Sequence, residues 1–171
     1  MLVVFGGLPG TGKTTLARLV AQQRRATFLR IDSIEQAIRD SGMLAGEVGP
    51  SGYLVAYALA EANLALGQDV VADSVNPLAV TRDAWRRAAA DAASPCIEIE
   101  LVCSDPVEHR RRVEAREADI PGLRVPSWDD VQRRAYDPWN RPRSVLDTAG
   151  RQVADLLAEL HRRIAGASVG Q

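Results

Sequence analysis

Short apolar runs alternate with segments of helical periodicity along the whole chain. The runs at residues 2–5, 27–31, 69–72, 96–102 and 144–146 predict five strands. Between them, apolar residues recur every three or four positions, which is the spacing of helices with one buried face. This alternation predicts an α/β fold, a single three-layer domain over residues 1–171 with the sheet between two layers of helices.

Two of the predicted helices have apolar stripes that indicate which face meets the core. In the helix that ends at Gly67, the stripe consists of Leu54, Val55, Ala58, Leu59, Ala62 and Leu66. In the last helix, the stripe consists of Val153, Leu156, Leu157, Leu160 and Ile164. The glycine-rich stretch 42–52, by contrast, predicts a flexible loop above the ligand-binding edge of the sheet.

The first strand leads into a glycine-rich motif. Residues 7–14, Gly-Leu-Pro-Gly-Thr-Gly-Lys-Thr, match the phosphate-binding pattern G-x-x-x-x-G-K-[ST] at every position. The glycines let successive backbone N–H groups turn toward an anion, Lys13 adds a charge for the terminal phosphates, and Thr14 offers a hydroxyl to Mg²⁺. A simple turn would not need this order of residues. We therefore predict a nucleoside triphosphate site, with ATP and Mg²⁺ as the expected cofactors, formed by Gly7, Leu8, Pro9, Gly10, Thr11, Gly12, Lys13, Thr14 and Thr15.

Acidic residues follow two of the predicted strands, at the edge where parallel sheets bind their ligands. Asp32 follows the second strand and is a candidate for catalysis and substrate binding. Alternatively, Asp32 caps the helix over 34–39, a role that Ser33 could also take. Asp73 closes the third strand as a Walker-B aspartate does, so we expect it to hold Mg²⁺ together with Thr14 and to lie beside the substrate.

Arginines supply the remaining candidates. Arg82 lies in the first turn of a helix predicted over 81–93, where a cation is unfavourable beside the helix dipole, and this favours a substrate contact. Arg39 is a further candidate for substrate binding. Arg112 and Arg116 are four residues apart and so share a face of their predicted helix, where two guanidiniums could clamp one polyphosphate. The alternative for these two is a solvated basic face that neighbouring glutamates neutralise.

Composition narrows the class of protein. The net charge of −1 gives no support to a nucleic-acid or membrane partner, so a small molecule is the expected partner. Cys96 and Cys103 have neither metal-ligand nor redox spacing, as is common for thiols in a reducing cytosol. The chain enters its first strand at residue 2 and has no apolar run long enough to span a bilayer, so we expect a cytoplasmic protein. Either a monomer or a homodimer fits these properties.

The least regular stretch is 117–142, which contains four prolines and two tryptophans. Within it, Ser127 is placed to cap a short helix that ends near Arg134. A stretch of this kind beside a phosphate site predicts a lid that closes over the nucleotide, because phosphoryl transfer must exclude water.

Taken together, these motifs resemble a known family. The motif at 7–15, Asp32, Asp73, the arginine-rich stretch 109–116 and the ending at 145–148 are similar to the small P-loop kinases. The similarity is greatest to kinases related to zeta toxins and chloramphenicol phosphotransferase, a group also classed with AAA-type ATPases. The resemblance implies a P-loop NTPase fold with the strand order 2-3-1-4-5 and adenine contacts near residues 148–151.

The resemblance also implies roles for individual residues. Asp32 would be the base that takes the proton of the acceptor hydroxyl, and Arg112 and Arg116 would neutralise the transferring phosphate. With Lys13 they form the expected catalytic set. The substrate signatures of adenylate, shikimate and gluconate kinases are not found in the sequence, so the acceptor stays open.

Two classes of function follow from the sequence. The first is an ATP-dependent phosphotransferase that moves the γ-phosphate to a hydroxyl of a small molecule. The second is an NTP-binding switch or slow ATPase that acts through a protein partner. An exposed apolar patch away from the nucleotide crevice would favour the second class.

Overall fold

A five-stranded parallel sheet forms the centre of the protein in the computed structural model, which describes residues 1–43 and 46–169. The strand order is β2-β3-β1-β4-β5, and every pair of neighbouring strands is parallel. The strands are β1 (Leu2–Gly6), β2 (Thr27–Arg30), β3 (Val70–Asp73), β4 (Cys96–Val102) and β5 (Ser144–Asp147). Both the α/β fold and the implied strand order are confirmed.

Helices follow the strands in the order that the periodicity predicts. They are α1 (Lys13–Arg24), α2 (Ile31–Asp40), α3 (Ser51–Ala65), α4 (Ala79–Asp91), α5 (Pro106–Glu114), α6 (Trp128–Gln132) and α7 (Val153–Val169). Ser127 caps α6 through a reciprocal bond with Asp130, as predicted. Among residues 1–43 and 46–169, no helix is both long and apolar enough to cross a membrane.

The sheet has an apolar core on each of its faces. On one face, alternate residues of the central strands pack against α1 and α7, with Phe5, Leu101, Leu160 and Ile164 fully buried. On the other face, α3 and α4 cover residues such as Val4, and Trp85 of α4 is completely buried there. Because both faces are covered, the strands are apolar along most of their length, which is why the sequence marks them clearly.

The orientation of α3 is the opposite of the predicted one. Its buried face consists of Gly52, Ala56, Ala60 and Leu64, and small residues there let the helix lie close to the sheet and to α2. The stripe predicted to face the core is exposed instead: Leu54, Val55, Ala58, Leu59, Ala62 and Leu66. The prediction was wrong because α3 is apolar on nearly all sides, so that large side chains alone do not identify the buried face.

Two other predictions about loops and helix starts also change. The loop expected over 42–52 ends earlier, because α3 already begins at Ser51, and residues 44 and 45 lie outside the described part of the chain. Helix α2 begins at Ile31, directly after β2, with Arg30 at the capping position and no side-chain cap. Neither Asp32 nor Ser33 therefore caps this helix, and Asp32 lies in its first turn.

Residues 136–143, here named the anchored segment, are attached to β4 by buried charges. Glu98 and Glu100 of β4 are each only 6% exposed. Arg141 donates two hydrogen bonds of 2.8 Å to Glu98, Arg143 pairs with Glu100, and the Tyr136 hydroxyl donates to Glu100 at 2.9 Å. These bonds hold the C-terminal part of the expected 117–142 lid against the sheet.

Candidate active site

The phosphate-binding motif forms a loop between β1 and α1, as predicted. Gly7 and Gly10 both have positive φ and both approach neighbouring atoms closely, so that a Cβ on Gly7 would collide with the Leu101 carbonyl and one on Gly10 with Val113. Gly12, also with positive φ, is the N-cap of α1. The N–H groups at the start of α1 therefore face the loop, which is the arrangement that binds phosphate at helix N-termini.

Lys13 is almost completely buried at the start of α1, and its Nζ donates to the Leu8 carbonyl at 2.8 Å. Burial lowers the pKa of Lys13 to about 8, although the nearby carboxylates of Asp73 and Asp32 partly oppose this shift. The ammonium group is therefore held inside the loop by a carbonyl, an interaction that a phosphate group with its greater negative charge could replace.

Asp73 ends β3 beside the phosphate loop, where it is 3% exposed. Burial raises the pKa of Asp73, while Lys13 and a hydrogen bond from the Thr14 hydroxyl lower it. Its Oδ2 atom is buried without a hydrogen-bond partner among the described residues, as expected of an oxygen that can coordinate a cation. Thr14 and Asp73 therefore fit Mg²⁺, which takes few protein ligands and completes its shell with water and phosphate oxygens.

Asp32 lies at the carboxyl edge of the sheet, with its side chain 40% exposed. Its Oδ2 is 3.5 Å from Arg30 Nη2 and 3.8 Å from Arg116 Nη2. It reaches solvent in a cleft that Lys13 and Asp73 also line. The structure thus brings these three predicted site residues together.

Arg30, at the end of β2, is a central residue of the site that the sequence did not reveal. Its side chain is 4% exposed and donates to both carboxylate oxygens of Asp119 at 2.6 and 2.8 Å. It also lies near Asp32 and within 3.8 Å of Asp73. The available signal in the sequence was an arginine at the end of an otherwise apolar strand.

Arg112 and Arg116 both reach the site, but not from one helix face. Helix α5 ends at Glu114, so Arg116 lies beyond its last turn. Arg112 donates to the hydroxyl and the carbonyl of Thr148, both at 2.9 Å, and pairs with Glu108 at 2.7 Å. Arg112 is therefore bound to the loop after β5, whereas the Arg116 side chain lies 3.8 Å from Asp32, its one ion pair among residues 1–43 and 46–169.

Arg82 was expected to contact the substrate, but its side chain does not line either the phosphate loop or the cleft beside Asp32. It is 2% exposed, and its guanidinium donates to backbone carbonyls of Asn76, Pro77, Asp137 and Pro138. It also stacks on the rings of Tyr136 and Trp139. These contacts explain a cation in the first turn of α4 as a structural link between the anchored segment and the loop after β3.

His109 is a second residue that sequence reasoning missed. It is buried on α5, and its Nε2 donates to the Pro9 carbonyl of the phosphate loop at 2.7 Å. Its ring also packs edge-on against Trp128 of α6. Helix α5 thus stabilises the phosphate loop through a direct hydrogen bond. No spacing in the sequence links residue 109 to residue 9, so only the fold could reveal this contact.

Two clefts meet at the phosphate loop. The donor cleft, about 430 Å³, is lined by the loop, by Arg112 and by Thr148 and Arg151 of the loop after β5. The acceptor cleft, about 890 Å³, is lined by Asp32, Arg39 and Asp73 and by parts of residues 122–134. Lys13, Thr14 and Arg116 line both clefts. The arrangement can hold a phosphate donor and a second molecule on opposite sides of the same three residues.

The fold and the site together define the class of protein. A complete phosphate loop between β1 and α1, an aspartate at the end of β3 and the order β2-β3-β1-β4-β5 are the features of a P-loop NTPase. More particularly, the profile of a family described as AAA domain matches residues 2–149, and the chain belongs to that family.

Curated relatives do not extend this assignment to a function. Uncharacterized proteins of Mycobacterium tuberculosis and Mycobacterium bovis are 35% identical over 119 residues, which is 63% of this chain. The matched stretch is 24% of the length of those relatives, so the chain spans only a fraction of them.

Solved structures show the same fold at low sequence identity. An inferred kinase of Chloroflexus aurantiacus superposes with a TM-score of 0.72 at 20% identity, covering 97% of this chain and 96% of that one. The APS kinase CysC of Mycobacterium tuberculosis, in complex with AMPPNP and APS, gives 0.71 at 19% identity with 96% of each chain covered. Kti12 of Chaetomium thermophilum with ADP-AlF3 gives 0.66 at 22% identity, covering 99% and 100%.

Proposed function

We propose that the protein is an ATP-dependent phosphotransferase that moves the γ-phosphate to a hydroxyl of a small molecule. The observation that carries this proposal is the meeting of the two clefts at Lys13, Thr14 and Arg116. A protein that only hydrolysed ATP would need no second cleft of about 890 Å³ lined by a carboxylate. The structural neighbours include kinases, which is consistent with this proposal.

In the donor cleft, the backbone of residues 7–15 would hold the phosphates, and Lys13 would exchange the Leu8 carbonyl for the terminal phosphate. The loop after β5, held by Arg112 through Thr148, would contact the base. Thr14 and Asp73 would hold Mg²⁺, which, when bound, neutralises charge on the phosphate oxygens.

In the acceptor cleft, Asp32 would orient the hydroxyl and accept its proton. Arg116, which reaches from the donor side to within 3.8 Å of Asp32, would stabilise negative charge between the two substrates. Arg39 lines the same cleft and is a further candidate contact for the acceptor.

The proposal has three further parts: membership in the zeta-toxin and chloramphenicol-phosphotransferase group, a cytoplasmic location, and a monomeric or homodimeric state.

The test is ATP turnover with a panel of antibiotics, sugars, nucleosides and amino sugars. We expect one acceptor to raise ADP release sharply and to gain the mass of one phosphate.

Asp32→Asn should lower kcat by about 10²–10⁴-fold while ATP binding is retained, because only the proton acceptor is lost. Asp40→Asn, at the other end of α2, is the matched control, and it should leave turnover near the wild-type value. If Lys13→Ala retained normal ATP affinity and turnover, the proposal would be wrong.

A second candidate function is an NTP-dependent switch or slow ATPase that acts through a protein partner. The exposed apolar stripe on α3 favours it, since Leu54 and Leu66 are 61% and 78% exposed and the stripe lies outside both clefts. Slow hydrolysis that no acceptor changes, together with loss of partner capture in Leu54→Glu, would support this candidate. Turnover that depends on an acceptor and is unaffected by Leu54→Glu would exclude it.

A further inference from the structure

We propose that the acceptor carries an anionic group, a phosphate, sulfate or carboxylate, in addition to its reactive hydroxyl. The proposal rests on the phosphotransferase function above and concerns the charges of the acceptor cleft. The cationic residues that line this cleft are Lys13, Arg39, Arg116, Arg124, Arg133 and Arg134. The anionic ones are Asp32, Glu35, Asp73 and Asp130.

Most of the negative charges in the cleft already have partners. Asp130 accepts from the backbone N–H and the hydroxyl of Ser127 at 2.9 and 2.8 Å, which fixes it in the cap of α6. Glu35 lies 3.5 Å from Arg39, and burial raises its pKa, so this carboxylate contributes less negative charge than an exposed one. Asp73 faces the phosphate loop and the proposed metal.

Some of the positive charges, in contrast, have no fixed partner. Within the described part of the chain, the side chains of Arg124 and Arg134 form no ion pair and no hydrogen bond, whereas Arg133 pairs with Asp129 at 3.1 Å. Arg134 nevertheless lines the acceptor cleft together with Lys13, Asp32 and Glu35. Arg124 interacts electrostatically with Asp130, but the cleft is lined by six cationic and four anionic side chains, so its net charge is positive.

These arginines are placed to contact the acceptor and not the nucleotide. Arg39, Arg124 and Arg134 line the acceptor cleft and are not among the residues that line the donor cleft. They come from two sides, Arg39 from α2 and the other two from residues 122–134. Gly122 packs so closely on Gln36 of α2 that a Cβ there would lie 2.8 Å from the Gln36 amide nitrogen. The two sides are thus already in contact, and an anion between them can bridge both.

The experiment measures binding to the acceptor cleft while AMPPNP and Mg²⁺ fill the donor cleft. Matched pairs of compounds are titrated by calorimetry: glycerol with glycerol 3-phosphate, glucose with gluconate, and adenosine with AMP, together with inorganic phosphate as the simplest anion. We expect the anionic member of at least one pair to bind at least tenfold more tightly than its neutral partner. The phosphate and carboxylate pairs distinguish which anion is preferred.

Variants connect any such preference to the arginines. Arg124→Ala and Arg134→Ala should each weaken binding of the anionic compound about tenfold or more, since charge-assisted hydrogen bonds are lost, and should leave AMPPNP affinity unchanged. Arg134→Lys should restore part of the affinity. Arg110→Ala is the matched control, because Arg110 is exposed on α5 and pairs with Glu114 on the same helix.

Three outcomes would overturn the inference: equal binding of neutral and anionic partners in every pair, anion binding that the double variant Arg124→Ala, Arg134→Ala does not weaken, or no binding of any anion at millimolar concentration. In each case, intact AMPPNP binding and turnover of a neutral acceptor would leave the phosphotransferase proposal standing. Failure of the wild-type protein to bind AMPPNP would instead refute the proposed function itself.

Discussion

Lys13 is the residue whose surroundings have the most direct consequence for nucleotide binding. It is buried against the Leu8 carbonyl, and its pKa is lowered to about 8. A bound phosphate favours the charged ammonium and so raises this pKa again. Binding of ATP should therefore be coupled to uptake of a proton at any pH at which Lys13 of the free protein is deprotonated.

We predict from this coupling that ATP affinity falls as the pH rises above about 8, because the free protein increasingly holds Lys13 neutral. Calorimetry in buffers of different ionisation enthalpy should show proton uptake on binding that grows between about pH 7 and pH 9. Lys13→Arg provides the control, since a guanidinium stays charged throughout this range. The same pH dependence in that variant would contradict the assignment to Lys13.

The positions of some candidate site residues in the fold could be predicted from the sequence for a definable reason. The phosphate loop and Asp73 are local features, a motif and a strand end, and such features can be recognised from neighbouring residues. Arg30, His109 and Asp119 act through contacts that span about 90 to 100 positions, for which no local pattern exists. The environment of Arg82 depends equally on residues 136–139, so its burial was not predictable.

At the scale of elements, α3 shows where periodicity fails. The strands were assigned correctly because they are short apolar runs that are covered on both faces. Helix α7 was assigned correctly because it has one apolar face, and Leu156, Leu160 and Ile164 are buried as predicted, whereas Val153 at its start is 43% exposed. Helix α3 has apolar residues on nearly all sides, and its buried face is made of small residues. Size, and not hydrophobicity alone, decides which face fits against the sheet.

A pair of alanines in α3 tests this orientation. Ala60 is fully buried and Ala58 is exposed, although they are two residues apart. Ala60→Leu should lower the free energy of unfolding by about 1–3 kcal/mol, because the larger side chain has no room in the core. Ala58→Leu should change it by less than about 0.5 kcal/mol. Urea unfolding measures both values, and the reverse order would mean that α3 presents its other face to the sheet.

On the scale of the whole molecule, the anchored segment limits what can move. The lid expected over 117–142 includes residues that are fixed to β4 and to Arg82, so movement on the scale of a lid is confined to residues before Tyr136. Asp119 is held at the other end by Arg30, which keeps the pKa of that carboxyl well below its usual range. Between these two ends, residues 120–135 include α6, whose Trp128 packs on His109, so closure of this stretch over the nucleotide stays a prediction.

The buried ion pair of the anchored segment should be important for stability. Glu98→Gln would remove the buried carboxylate that pairs with Arg141 and leave Arg141 paired with the more exposed Asp83, and we expect a loss of about 3 kcal/mol in the free energy of unfolding. Glu114→Gln removes the partner of Arg110 on the surface, where about 0–1 kcal/mol is expected. Chemical denaturation compares the two variants, and equal losses would show that the segment is not fastened by this pair.

Helix α5 has a consequence for how related sequences can vary. Its nine residues contact the phosphate loop through His109 and Val113 and hold the loop after β5 through Arg112, so one short helix supports both ends of the nucleotide cleft. Gly10 has no room for a side chain because Val113 fills that space. Position 10 should therefore remain glycine in descendants of a common ancestor, because its positive φ and the Val113 side chain both disfavour a Cβ there.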